Sequence, residues 1–153
     1  MKIFLVQHGL AVTKPEDPLR PLSAEGVASA EAMSQWAQDV GVSVSAIRHS
    51  GKLRAEQTAQ YFADNLKPSG GISIASGLAP NDDVHTMVKI VNTELVNSMI
   101  VGHLPFLSRF ASLLVAGDSE IEVVRFCNSG IVCLVNDNNS WSIDWVMTPD
   151  QLT

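Results

Sequence analysis

Apolar positions along this chain follow two rhythms that alternate. Residues 2–7 (KIFLVQ) set four apolar side chains in a row, the pattern of a strand buried on both faces. A turn-rich stretch with three prolines follows, TKPEDPLRPLS. Ser23 is then an N-cap for a helix over 24–40, because its hydroxyl can accept from an orphan N–H. In that helix Val27, Ala30, Met33, Ala37 and Val40 fall near one face, and Gly41 ends it. Residues 43–48 (SVSAIR) predict a second strand. Ser50 stands where it could cap a helix over 52–66, with Ala55, Ala59, Phe62 and Leu66 on the buried face. GGISIAS, residues 70–76, offers a short third strand. The loop LAPNDD leads into a helix carrying Val84, Met87, Val88, Val91 and Leu95. A strand over 98–101 is followed by Gly102-His103 and a helix over 104–116. Strands are expected at 122–126, 130–135 and 141–146, the last two joined by the turn-like NDNNS.

Strands alternating with helices imply an α/β fold. The expected architecture is a three-layer α/β/α sandwich around a mostly parallel sheet, with an antiparallel C-terminal element. At 153 residues the chain is expected to form a single domain, 1–153, able to bury a core without staples.

Composition narrows the function. Apolar residues are 46% of the chain and charged residues 17%, which argues against disorder. A formal net charge of −6 disfavours a nucleic-acid binder, although a few arginines can build a local phosphate site in an acidic protein. The two cysteines, Cys127 and Cys133, match no zinc or CxxC spacing and read as plain buried thiols. The N-terminal apolar run, Ile3 to Val6, is too short for a signal peptide, and no stretch approaches the ~20 residues of a membrane helix. The expectation is a soluble cytoplasmic protein with no membrane partner.

Two histidines share one context. His8 follows a strand and precedes Gly9; His103 follows a strand and Gly102 and precedes a helix. Ligands gather at the carboxyl ends of strands in open α/β sheets, so both imidazoles are expected to face one crevice. Read singly, each could instead be a histidine satisfying a core or helix-start contact. In HSGKLRAEQTA, residues 49–59, Arg54 lies in the first turn of a helix. A cation there opposes the helix dipole unless an anion compensates it, which suggests a phosphate or carboxylate ligand. An arginine paired with Glu56 or solvated is the alternative.

Taken in order, QHG, SGKLRAEQTA and GHLP resemble the histidine phosphatase superfamily, the phosphoglycerate-mutase-like fold. The resemblance covers essentially the whole chain. The short length, LRPLSAEG and GHLP are similar to its small bacterial branch, the SixA-type phosphohistidine phosphatases. The resemblance implies that His8 is the nucleophile that takes the phosphoryl group. It implies that Arg54 binds phosphate and that His103 contacts the phosphoryl oxygens. Arg20 matches an arginine that lies near the pocket or braces its loop. Ser50 matches a serine that could donate to a phosphate oxygen, besides its capping role. Gly9 is expected to let the backbone turn tightly and approach the phosphate.

Gln7 departs from the family pattern, which has arginine there as a phosphate clamp. Glutamine donates through its amide but carries no charge, and losing one charged hydrogen bond costs about 1.5–3 kcal/mol. Candidates for a general acid are Asp82, Asp83 and His85, with Asp82 or Asp83 alternatively capping the next helix. A leaving imidazole is less basic than an alkoxide, so phosphohistidine needs less acid help. The activity implied is a metal-independent, cofactor-free phosphohistidine phosphatase. Its partner would be a phosphohistidine protein such as a histidine-phosphotransfer domain. A small-molecule phosphomonoesterase of the same fold and a non-catalytic phosphate- or phosphohistidine-binding module are the rivals. A zinc site of His8, His49, His85 and His103 is disfavoured, since no two stand at i, i+3 or i+4.

Overall fold

Ile3, Phe4, Leu5 and Val6 can all be buried only if both faces of their strand are covered, and the structure covers both. It is a computed structural model that describes residues 1–152. The strand they form, β1 (Lys2–Gln7), lies inside a six-stranded sheet with β2 (Ile47–His49), β3 (Ile72–Ile74), β4 (Met99–Gly102), β5 (Ile131–Asp137) and β6 (Ser140–Met147). The strand order is β3-β2-β4-β1-β5-β6. The first four of these run parallel; β5 is antiparallel to β1, and β6 to β5.

Side chains alternate across β1, and so do its partners. Phe4 and Val6 pack with Met33 and Ala37 of α1 (Ala24–Asp39) and with Ala55, Ala59 and Phe62 of α2 (Leu53–Leu66). Ile3 and Leu5 pack on the other face with Met87 of α3 (Val84–Ile90) and Phe106 and Phe110 of α4 (Phe106–Ala116). This is the expected three-layer α/β/α sandwich with an antiparallel C-terminal element. No helix among the described residues is long and apolar enough to cross a membrane.

Several local expectations are corrected. Residues 122–126 form no strand: Val123, Val124 and Phe126 pack against the α3–α4 side of the core along an irregular path, while Arg125 points outward. Both neighbours of β1 are already taken, so this segment crosses to Asn128 at the end of β1 instead of joining the ladder. Helix α1 buries Gly26, Ala30, Met33, Ser34 and Ala37, whereas Val40 at its end is 55% exposed. The first contact of that buried face is a glycine because a Cβ on Gly26 would lie 2.0 Å from the carbonyl oxygen of Leu10. Ser50 does not cap α2; the N-cap is Lys52, with no side-chain capping bond.

Alanine improves helix propensity over glycine by about 1 kcal/mol, but overpacking typically costs about 1–3 kcal/mol. The obstacle at Gly26 is backbone, which cannot rotate away. Gly26→Ala is therefore expected to destabilise the fold by roughly 2 kcal/mol, read as a lower urea midpoint at unchanged m-value.

Candidate active site

The parallel pairing of β1 with β4 sets the site. Gln7 lies in register with Gly102, and the His8 N–H donates to the Gly102 carbonyl at 3.0 Å. His8 and His103 thus leave adjacent strands side by side, with ring centroids 5.0 Å apart. Helix α2 begins beside them. Arg54 Nε donates to His8 Nε2 at 3.4 Å, and the uncapped first turn leaves its N–H groups for a ligand.

His8 is held in one tautomer. Its Nδ1 lies 2.7 Å from the Gly9 carbonyl oxygen, which can only accept, so Nδ1 carries the proton and Nε2 presents its lone pair. Burial lowers its pKa; the Gly9 hydrogen bond opposes this, and the charges of Arg54 and Arg20 add to the lowering. His103 is 2% exposed, with Nε2 at 2.6 Å from Ser50 Oγ and Nδ1 buried without a partner. Burial, then His8, Arg54, Lys52 and Arg20, push its pKa down to about 3. Both shifts favour the neutral imidazole in the free protein. Burial also lowers Arg54 from its usual value, and Arg20 adds to that.

Arg20 belongs to this neighbourhood. Its backbone is left-handed (φ 49°), and its Nε donates to the Val12 carbonyl at 3.1 Å. Lys14, Arg20, Lys52 and Arg54 line one cleft of about 630 Å³. A separate groove of about 540 Å³ between Trp36 and Trp145 contains none of these side chains. Gln7 is half-buried at the end of β1, and its Oε1 is buried with no hydrogen-bond partner.

Packing gives Gly9 a reason of its own. Its φ is not in the left-handed region; instead a Cβ would meet Gly26 O and Ser129 Oγ, each at 3.0 Å. The loop is packed between α1 and the segment before β5. The three acid candidates are engaged elsewhere. Asp82 accepts from the Ala79 N–H, and Asp83 caps α3 and bonds the His85 ring at 2.8 Å, out in solvent. No carboxylate is among the charges that shift His8 or His103. His49 Nδ1 accepts from the Gly51 N–H, and among the described residues no three His, Cys, Asp or Glu side chains are grouped to hold a metal ion.

Three supporting residues escaped the sequence reading. Thr58 Oγ1 accepts from the Gly9 N–H at 2.9 Å, Gln57 Oε1 accepts from the Leu22 N–H at 2.8 Å, and Asn128 Nδ2 donates to the His8 carbonyl at 2.9 Å. Gln57 and Thr58 follow Arg54 by three and four residues, the spacing of one helix face, and that was the available signal. Asn128 gave none.

The fold is the phosphoglycerate-mutase-like one of the histidine phosphatases, and in this chain it sets paired histidines at two parallel strand ends with an arginine on the helix beside them. The chain is homologous to phosphohistidine phosphatase SixA of Escherichia coli, with 25% identity over 158 aligned positions, covering 99% of this chain and 96% of that protein. The structure of the protein histidine phosphatase SixA complexed with tungstate superposes with a TM-score of 0.85 at 26% identity, covering all of both chains. The alpha-ribazole phosphatase of Shigella flexneri shares the fold, with a TM-score of 0.80 at 14% identity over 97% of each chain. No family model matches the chain.

The lowered histidines have a checkable consequence. A neutral imidazole gains its proton only as pH falls through its own lowered pKa, so each ring should become charged at a lower pH than an ordinary histidine. NMR titration of labelled histidine should give both midpoints below 6.5, with that of His103 the lower. Arg20→Gln should move both upward, because it removes a repelling charge. A midpoint for His8 at or above 6.5 would contradict this electrostatic picture.

Proposed function

We propose that this protein is a metal-independent phosphatase that removes the phosphoryl group from phosphohistidine on a protein, by way of a phosphoryl group carried on His8. The cytoplasm is the proposed setting and a histidine-phosphotransfer domain the proposed kind of partner. The observation that carries the reading is the unprotonated Nε2 of His8, whose ring is held through Nδ1 by the Gly9 carbonyl and whose Nε2 is set against Arg54.

In this reading the Nε2 lone pair attacks phosphorus. The bond from phosphorus to the substrate imidazole breaks, and that bond pair leaves on the imidazole nitrogen, which takes a proton from water. Arg54 and Arg20 stabilise the charge on the phosphoryl oxygens, and neutral His103 offers an N–H donor. Phosphoryl transfer depends chiefly on such positioning and charge stabilisation. Water then adds to phosphorus and the pair returns to His8. An incoming dianion raises the basicity of both histidines, so the site is tuned to accept a negative group.

The same electrostatics favour phosphohistidine over a phosphate ester. An alkoxide leaving group calls for a strong proton donor, and every charge that perturbs the histidine pair is cationic. An imidazole leaves without such help. The SixA likeness over the full chain supports the same choice.

A brief reaction with phosphoramidate, quenched in base, should leave an acid-labile, base-stable phosphoryl group on His8. His8→Ala should lose both the label and turnover. Full turnover in that variant would sink the mechanism.

Gln7 tests the charge balance. Gln7→Arg adds a charged donor beside the phosphoryl site and should raise kcat/KM roughly 10-fold, on the energy of one charge-assisted hydrogen bond. An unchanged or lower value would mean that Arg20 already supplies the charge.

A further inference from the structure

Four of the ten lysines and arginines in this acidic chain line a single cleft, Lys14, Arg20, Lys52 and Arg54, with Glu56 as its one acidic wall residue. Two of them, Arg20 and Arg54, are engaged by the chemistry above. Lys14 and Lys52 are exposed, and Lys14 is absent from the charges that perturb His8 and His103. A phosphoryl group alone leaves these outer cations unmatched.

A second observation is independent of charge. Six large apolar side chains are exposed among the described residues, and four of them adjoin the site: Leu10, Leu19, Ile74 and Leu104. Leu10 follows Gly9, and Leu104 follows His103. Leu19 lines the cleft beside Arg20 and is 70% exposed. Ile74 is 68% exposed and lies against Gly51, the residue before Lys52. Apolar side chains left in water around a functional mouth mark an interaction surface. A small phosphorylated metabolite is normally enclosed by its pocket, and an open rim of leucines offers it nothing.

We infer that the rim around His8 is a docking face for a protein surface in which the phosphohistidine is flanked by acidic and apolar side chains. The inference rests on the phosphohistidine reading above and specifies its partner. Charge complementarity decides the sign: a protein of net charge −6 disfavours acidic partners on average, whereas this cleft gathers four of its ten cations, so the cleft also favours one orientation of approach. The apolar rim supplies contact area once the partner has been oriented.

The test uses the wild-type protein and three fluorescent peptides of equal length. Each carries a hydrolysis-resistant phosphonate analogue of phosphohistidine and a leucine, with acidic, neutral or basic flanks. Anisotropy titration should show the acid-flanked peptide binding at least ~10-fold more tightly than the basic-flanked one at low salt, with the gap closing as salt screens the rim. Lys14→Glu should narrow that gap, and Ile74→Ser should weaken the acid-flanked peptide. Equal binding of the three peptides, or preference for basic flanks, overturns the docking face. Turnover of phosphoramidate is followed in parallel. Its absence together with an acidic preference would overturn the proposed chemistry and leave the docking face standing.

Discussion

One face of α2 holds the site together. Arg54, Gln57 and Thr58 stand three and four residues apart, and between them they reach two loops. Arg54 meets His8, Gln57 takes the N–H of Leu22 in the segment that carries Arg20, and Thr58 takes the N–H of Gly9. Two loops with no regular structure of their own are thereby given fixed positions against a rigid element. The helix is in turn pressed onto the sheet by Ala55, Ala59 and Phe62, so the geometry of the histidines is inherited from the core. The small residues Ala55 and Ala59 let that approach be close.

The arrangement concentrates positive charge without charging the histidines. The half-buried His8 and the buried His103 are both pushed toward the neutral form, because a further proton would be desolvated and would be repelled by Arg54 and Arg20. In the proposed reaction a neutral imidazole keeps its lone pair for attack, and the surrounding cations offset the charge of the phosphoryl group. Gln7 fits this balance in a particular way. Its uncharged amide adds no further positive charge at the strand end, while its buried Oε1 is left without a partner. The strand end is therefore polar, uncharged and incompletely satisfied.

Much of this was legible in the sequence. The apolar run 3–6 and the alternation of strand and helix patterns follow directly from burial on both faces of a sheet, and the three layers follow from them. His8, His103 and Arg54 were legible because each stands at the end of an element, where ligands collect. The supports were not. Thr58 and Asn128 work through partners 49 and 120 residues away, and local spacing carries no trace of such a bond. Ser50 illustrates the limit: a serine before a helix is a capping signal, yet a histidine brought in from another strand claimed its hydroxyl. Residues 122–126 failed likewise, since apolar side chains can be buried without a free sheet edge to join.

The bond from Asn128 to the His8 carbonyl also bears on how the protein comes into being. The His8 carbonyl is anchored, and Gly9 and Ser129 are packed together, only once the segment preceding β5 is in place. β5 then closes beside β1 and locks that segment in place. Such long-range closure is slow compared with forming helices. A nascent chain that has completed every parallel strand and all four helices would still lack this anchor. The histidine loop is therefore completed by a contact 120 residues away in the sequence, and not by the elements that lie nearest to it along the chain.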